Sequence, residues 1–168
     1  MRAMLRLLVV LVLLVPAAGA DLSVPGDEQS RKAIAHARAV REDPRWPWNP
    51  ETVLAGDMNC DGVDDYCVSA CADSCLFLAV VLGPPADSSR VSIIGFECNP
   101  ISQYGLGGWP PRLRLEALTY DLSHGLEFPV PGLRFSPKCN GILIIAGQID
   151  PFHVFWSDED DQLSWWRL

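Results

Sequence analysis

The residues with the clearest chemical potential lie in one short acidic loop, at positions 57–65. Four side chains that carry oxygen occupy positions 1, 3, 5 and 9 of this loop: Asp57, Asn59, Asp61 and Asp65. Gly62 stands at position 6, where the chain must turn sharply. Carboxylates placed so closely repel one another unless a cation lies between them. Calcium takes six to eight oxygen ligands in a flexible shell, so the spacing predicts a calcium site.

The residues around this loop decide between two kinds of calcium motif. An EF-hand requires a bidentate Glu at position 12 and flanking helices, but position 12 is Val68. Residues 55–68 instead resemble the calcium loop of FG-GAP and VCBS repeats, in which one strand enters the loop and another leaves it. The resemblance implies that Asp57, Asn59, Asp61 and Asp65 bind through side chains and that Val63 binds through its carbonyl.

Repeats of this family normally build a propeller of several blades, and this chain carries a single copy of the motif. We find no internal repeat at 20–50 residues. The sequence therefore predicts a smaller fold that is not a full propeller, with a calcium ion in a structural role. Extracellular calcium modules bind with dissociation constants of roughly 10⁻⁴ to 10⁻³ M.

The N-terminal 20 residues have the pattern of a signal peptide. Arg2 and Arg6 supply positive charge, residues 7–15 are apolar, and Ala18-Gly19-Ala20 is a typical cleavage site. This run is shorter than the ~20 apolar residues that span a bilayer. We therefore expect one exported domain, residues 21–168, without a stable membrane anchor after cleavage. The pattern does not distinguish a periplasmic from a secreted protein.

The charge balance limits the classes of partner. The chain has a formal net charge of −8, whereas nucleic-acid binding requires clustered Lys and Arg. Trp46 and Trp48 could stack on a sugar or peptide, but we expect them to pin a linker onto the core. For the C-terminal aromatic cluster we also favour a core role over a ligand platform; it comprises Phe152, Phe155, Trp156, Trp165 and Trp166. An unidentified protein or carbohydrate is the expected partner class, and nucleic acid is not.

Six cysteines in an exported domain predict three disulfides. One hypothesis pairs Cys71 with Cys75 across a hairpin turn and Cys60 with Cys67 beside the acidic loop. Cys98 and Cys139 then pair over a long range. A zinc site is less favoured, because the spacings lack a C-x-x-C pair.

Hydrophobic periodicity predicts an α+β fold that is mainly β. Residues 27–42 form an amphipathic helix with Ala33, Ile34, Ala37 and Val40 on one face. About seven mostly antiparallel strands follow, predicted at 52–55, 65–70, 76–82, 91–96, 112–120, 141–147 and in a hairpin over 152–168.

The sequence favours a non-enzymatic protein, with an exported hydrolase as the alternative. Ser123 and His124 are adjacent, which does not make a triad, and no Gly-x-Ser-x-Gly elbow is present. His153 with a distant Asp keeps the hydrolase alternative open. The acidic run 157–161 is a second cation candidate, but we expect a solvated hairpin tip there.

Overall fold

A computed structural model describes residues 28–40, 46–72, 74–98, 105–106, 110–119 and 129–168. The chain order is one helix, α1 (Glu28–Val40), followed by eight strands: β1 (Trp48–Gly56), β2 (Asp65–Ala72), β3 (Cys75–Val81), β4 (Val91–Glu97), β5 (Arg112–Leu118), β6 (Ser136–Ile145), β7 (Phe152–Ser157) and β8 (Gln162–Trp166). None of the helices in these ranges is long and apolar enough to cross a bilayer. The predicted signal peptide lies outside the described residues.

The strands form two antiparallel sheets, which we name sheet A (β1-β2-β3-β4) and sheet B (β5-β6-β7-β8). Alternate side chains of each strand point to opposite faces. One face of each sheet contributes to a shared apolar core that contains Leu76, Leu78, Val80, Ile142, Ile144, Phe152 and Val154. All seven are buried. The two sheets therefore pack face to face, and this packing confirms the mainly β fold class with an N-terminal helix.

Helix α1 covers the second face of sheet A. Ala33, Ile34 and Ala37 are buried there, in a cluster with Val68 and other residues of β2 and β3. Trp46 stacks on Phe77 with ring centroids 3.6 Å apart. Trp46 and Trp48 are both buried, which confirms that they pin the segment after the helix onto the core.

The second face of sheet B is covered by the segment that precedes β6. Val130 and Leu133 pack against Phe155 and Trp166. The two faces of β7 are thus both buried, with Phe152, Val154 and Trp156 in the core between the sheets. This arrangement confirms the core role of the aromatic cluster.

The structure extends the predicted strands more than it changes their order. Strand β6 begins at Ser136, whereas the sequence predicts a strand only from residue 141. Its first residues pair with β5 after a register shift between Ala117 and Leu118, so tertiary pairing overrides local propensity. The predicted C-terminal hairpin is confirmed, since β7 and β8 pair through Ser157 and Gln162.

The disulfide hypothesis is wrong in its pairing. Cys60 bonds to Cys139, so the bonds Cys60–Cys67 and Cys98–Cys139 are not formed. Cys67 lies on the core face of β2 with no exposed surface, and it cannot meet a cysteine at the rim of the loop. Cys71 and Cys75 also carry thiols in the structure, so the hairpin bond is absent.

Candidate cation site

Strands β1 and β2 hold the two ends of the acidic loop together. Gly56 pairs with Asp65 in the antiparallel ladder, so residues 57–64 form the connection of a hairpin. Gly62 has φ +87°, a left-handed conformation that side chains other than glycine rarely adopt. The local structure is the strand-loop-strand arrangement that the resemblance implies.

The oxygens at loop positions 1 and 3 are neighbours. The Asp61 N–H donates to Asp57 Oδ1 (3.0 Å) and to Asn59 Oδ1 (3.1 Å). The second Asp57 oxygen accepts the Gly62 N–H at 3.0 Å. Because one N–H serves both Oδ1 atoms, the Asp57 and Asn59 side chains face the same point of the turn.

The carboxylate at position 5 adjoins this pair. Asp61 Oδ2 accepts a hydrogen bond from Asn59 Nδ2 at 3.0 Å, and Asp61 Oδ1 accepts the Val63 N–H at 2.8 Å. Asp61 and Val63 are exposed, whereas Asp57 and Asn59 are partly buried. Positions 1, 3 and 5 thus bring three oxygen-bearing side chains together at the solvent-facing rim of the loop.

Asp65 lies at the base of the loop and is fully buried. Its Oδ2 accepts the N–H groups of Met58 (2.9 Å) and Asn59 (3.0 Å), and its Oδ1 accepts that of Gly83 (2.9 Å). Burial raises the pKa of Asp65, while these three N–H donors act in the opposite direction. In this structure Asp65 organises the backbone of the loop and of the turn after β3.

The donor set is suitable for a hard cation. Within the described ranges, no three side chains of His, Cys, Asp or Glu converge closely enough to hold a metal ion. Carboxylate oxygens offer two lone pairs each, so Asp57 and Asp61 can accept N–H donors and still coordinate. Asp57, Asn59 and Asp61 would hold a calcium ion with the Val63 carbonyl, and Asp65 is the remaining carboxylate of the predicted ligand set.

Two links join this loop to sheet B. The disulfide connects Cys60 to Cys139 on β6, across a sequence separation of 79 residues. The adjacent Asn140 N–H donates to the Asp57 carbonyl oxygen at 2.7 Å. Sequence reasoning missed Asn140 and mispaired Cys139, because nothing local marks either residue as a neighbour of the loop.

The second cation candidate, residues 157–161, is the tip of the β7–β8 hairpin. Ser157 Oγ accepts the Asp160 N–H at 3.2 Å, as expected for a tight turn. Arg90 pairs with Asp161, and Arg134 pairs with Asp158 at 2.6 Å. Arginines neutralise these two carboxylates without any cation. The acidic residues 157–161 are therefore explained as an exposed hairpin tip.

A buried pair of titratable groups lies on the face of sheet B opposite the shared core. His153 Nδ1 is 3.0 Å from both carboxylate oxygens of Glu116, and its ring stacks on Trp166 with centroids 3.9 Å apart. Glu116 is on β5 and His153 on β7, so the carboxylate must pass over β6. Gly141 permits this, since a Cβ there would lie 3.3 Å from Glu116 Cγ and 2.9 Å from the Val154 carbonyl oxygen.

His153 is one of the two histidines that the hydrolase alternative considers, and the other, His124, lies outside the described residues.

Two cavities of about 420 Å³ each lie away from the His153–Glu116 pair. One is beside α1 and is lined by Lys32, His36 and Asp87. The other, between β1 and β5, is lined by Asn49, Glu51, Thr52, Ser69, Cys71 and Arg112, among others.

Comparison with known proteins adds no relative from which a function can be carried over. No family model matches the chain, and neither a curated protein nor a solved structure matches it at a significant level. The geometry of the chain's own residues therefore carries the functional argument.

Proposed function

We propose that this is an exported, non-enzymatic protein whose loop 57–65 binds calcium and thereby stabilises the fold. The observation that supports the proposal most is the meeting of Asp57, Asn59 and Asp61 side chains at the rim of a strand-loop-strand turn. These are hard oxygen donors, which calcium prefers. The left-handed Gly62 and the anchored Asp65 hold the loop in a shape that presents them.

A bound ion would act where the two sheets meet. The loop belongs to sheet A, while the disulfide partner of Cys60 and the donor to the Asp57 carbonyl belong to sheet B. Neutralising the charges of Asp57 and Asp61 would therefore stabilise the junction between the two sheets as well as the turn of the acidic loop. This role is structural, so we expect the ion to raise stability without a large conformational change.

Calcium-dependent stability tests the proposal directly. At about 10 mM calcium and a dissociation constant of roughly 10⁻⁴ to 10⁻³ M, mass action adds about 1.4 to 2.7 kcal/mol to the free energy of unfolding. The measurement is calorimetric melting of the oxidised, exported protein in calcium, in magnesium at equal ionic strength, and in chelator. Asp61→Ala should remove the calcium-specific increase.

Asp64→Ala is the matched control, because Asp64 is an exposed acidic residue of the same loop outside the proposed ligand set. It should keep the calcium-specific increase in melting temperature. An equal response of the wild-type protein to calcium and magnesium, or the absence of any response, would refute the calcium proposal.

A protein or carbohydrate is the proposed partner class. The cavity between β1 and β5 is lined by the Asn49 amide and by the charged side chains of Glu51 and Arg112, which are the kinds of groups that orient small polar ligands. Titration with a panel of soluble oligosaccharides, monitored by calorimetry, tests the carbohydrate case. Arg112→Ala should weaken any binding at this cavity.

The hydrolase alternative is favoured by one observation, the orientation of His153 by Glu116. A carboxylate at Nδ1 is the arrangement that orients a general base. The ring is nevertheless buried beneath Trp166, where a substrate would need access. Hydrolysis of simple ester or peptide substrates that is lost in His153→Gln, with the fold retained, would replace the non-enzymatic proposal.

A further inference from the structure

Three cysteines lie at one corner of sheet A. Cys71 lies near the end of β2, Cys75 begins β3, and Cys98 follows β4. The ladder pairs Cys75 with Ala72 on one side and with Glu97 on the other. The Cys98 N–H also donates to the Ser74 carbonyl oxygen in the turn, at 2.7 Å. We name these three residues the thiol corner.

All six cysteines are among the described residues, so the thiols can be counted completely. Cys60 and Cys139 are bonded to each other. Cys67 has no exposed surface and lies in the core between the sheets. The members of the thiol corner are the remaining three, and each is exposed or partly exposed. Because three is odd, one intrachain bond leaves one accessible thiol.

Cys98 is the member that both others influence. The register places Cys98 beside the hairpin that carries Cys71 and Cys75. Burial raises the pKa of the Cys98 thiol to about 11, with further contributions from the charges of Cys71 and then Cys75. A thiol of high pKa is a poor leaving group, so a disulfide that contains it resists exchange.

We propose that the thiol corner is a second oxidation site, in which Cys98 bonds to Cys71 or Cys75 and the remaining hairpin thiol forms a mixed disulfide with an external thiol compound. This inference is independent of calcium binding. It assigns the exported protein two intrachain disulfides and one covalent attachment point at the hairpin end of sheet A.

The oxidant in the proposed reaction is a small disulfide such as oxidised glutathione. One corner thiolate attacks a sulfur of the oxidant, which forms a mixed disulfide and releases one glutathione. A second corner thiolate then displaces the other glutathione and completes the intrachain bond. The two thiol protons pass to the two released glutathione molecules, and the oxidant gains the two electrons. The third thiol reacts with another oxidant molecule and stops at the mixed disulfide.

Peptide mapping under non-reducing conditions tests the proposal. The exported protein is equilibrated with oxidised glutathione, alkylated while folded, digested and analysed by mass spectrometry. We expect a bond from Cys98 to Cys71 or Cys75, the Cys60–Cys139 bond, and a single glutathione adduct on the remaining hairpin cysteine. A Cys71–Cys75 bond, or three separate adducts with no bond in the corner, would overturn the proposal.

Two variants separate this outcome from a general loss of structure. Cys98→Ser should leave two hairpin cysteines that each carry glutathione, and a hairpin bond in that variant would argue against a special role of Cys98. Cys67→Ala is the matched control, because its thiol is buried and should not alter the map. Circular dichroism and the intact Cys60–Cys139 bond report whether each variant is folded.

Discussion

The buried carboxylate of Asp65 supplies the sharpest test of how the loop is held. Its two oxygens accept three backbone N–H groups, from Met58, Asn59 and Gly83, at 2.9, 3.0 and 2.9 Å. Asp65→Ala removes both acceptor oxygens, and with them all three hydrogen bonds, without adding a replacement. Met58 is buried, so its N–H would lose its partner where water is scarce.

The expected cost follows from these three bonds. A hydrogen bond to a charged group contributes about 1.5 to 3 kcal/mol, and an N–H that can turn to water loses about 1 kcal/mol. With the Met58 bond at the first value and the bonds of the two partly exposed donors at the second, Asp65→Ala should lower the free energy of unfolding by about 3.5 to 5 kcal/mol. This is a large share of the roughly 5–15 kcal/mol typical of a domain.

Urea unfolding followed by tryptophan fluorescence measures the effect, in chelator so that bound cations do not contribute. With a slope of about 1–3 kcal/mol per M urea, the midpoint should fall by roughly 2 M. Asp64→Ala is the matched control, because it removes the same charge from the exposed neighbouring position and should change stability by less than about 0.5 kcal/mol. If the two variants unfold at the same urea concentration, Asp65 does not anchor the loop as argued.

Two further predictions concern sheet B and the thiol corner. Gly141→Ala should destabilise the protein by about 1–3 kcal/mol in urea unfolding, because its Cβ would crowd the Val154 carbonyl oxygen and Glu116; a wild-type midpoint would show that Glu116 does not need this gap. In the reduced protein at pH 8, iodoacetamide should alkylate Cys98 about a hundredfold more slowly than after unfolding, because a pKa of about 11 instead of 9.0 lowers the thiolate fraction by that factor. Because the pKa is raised in the folded state, folding favours the neutral Cys98 thiol. The stability that this thiol contributes is therefore present below pH 9 and is lost as the pH rises towards 11. Equal alkylation rates in the folded and unfolded protein would contradict the raised pKa.

The elements were largely predictable because their signals are local. The continuous apolar run of β3 predicts a buried strand, and the helical spacing of Ala33, Ile34 and Ala37 predicts the buried face of α1. The start of β6 at Ser136 was not predictable, because that strand depends on its pairing with β5 across a register shift. The loop residues could be identified by spacing, but the fully buried position of Asp65 depends on the turn at Gly83, which lies 18 residues away.

The sequence by itself determined which residues form the acidic loop and where the helix and most strands lie. Tertiary structure alone decided that Cys60 meets Cys139, that Glu116 reaches His153 over Gly141, and that Cys71, Cys75 and Cys98 share one corner. The physical reason is that periodicity and turn chemistry act over a few residues. Disulfides, buried ion pairs and sheet packing depend on which strands become neighbours, and the chain fixes those neighbours only when its core forms.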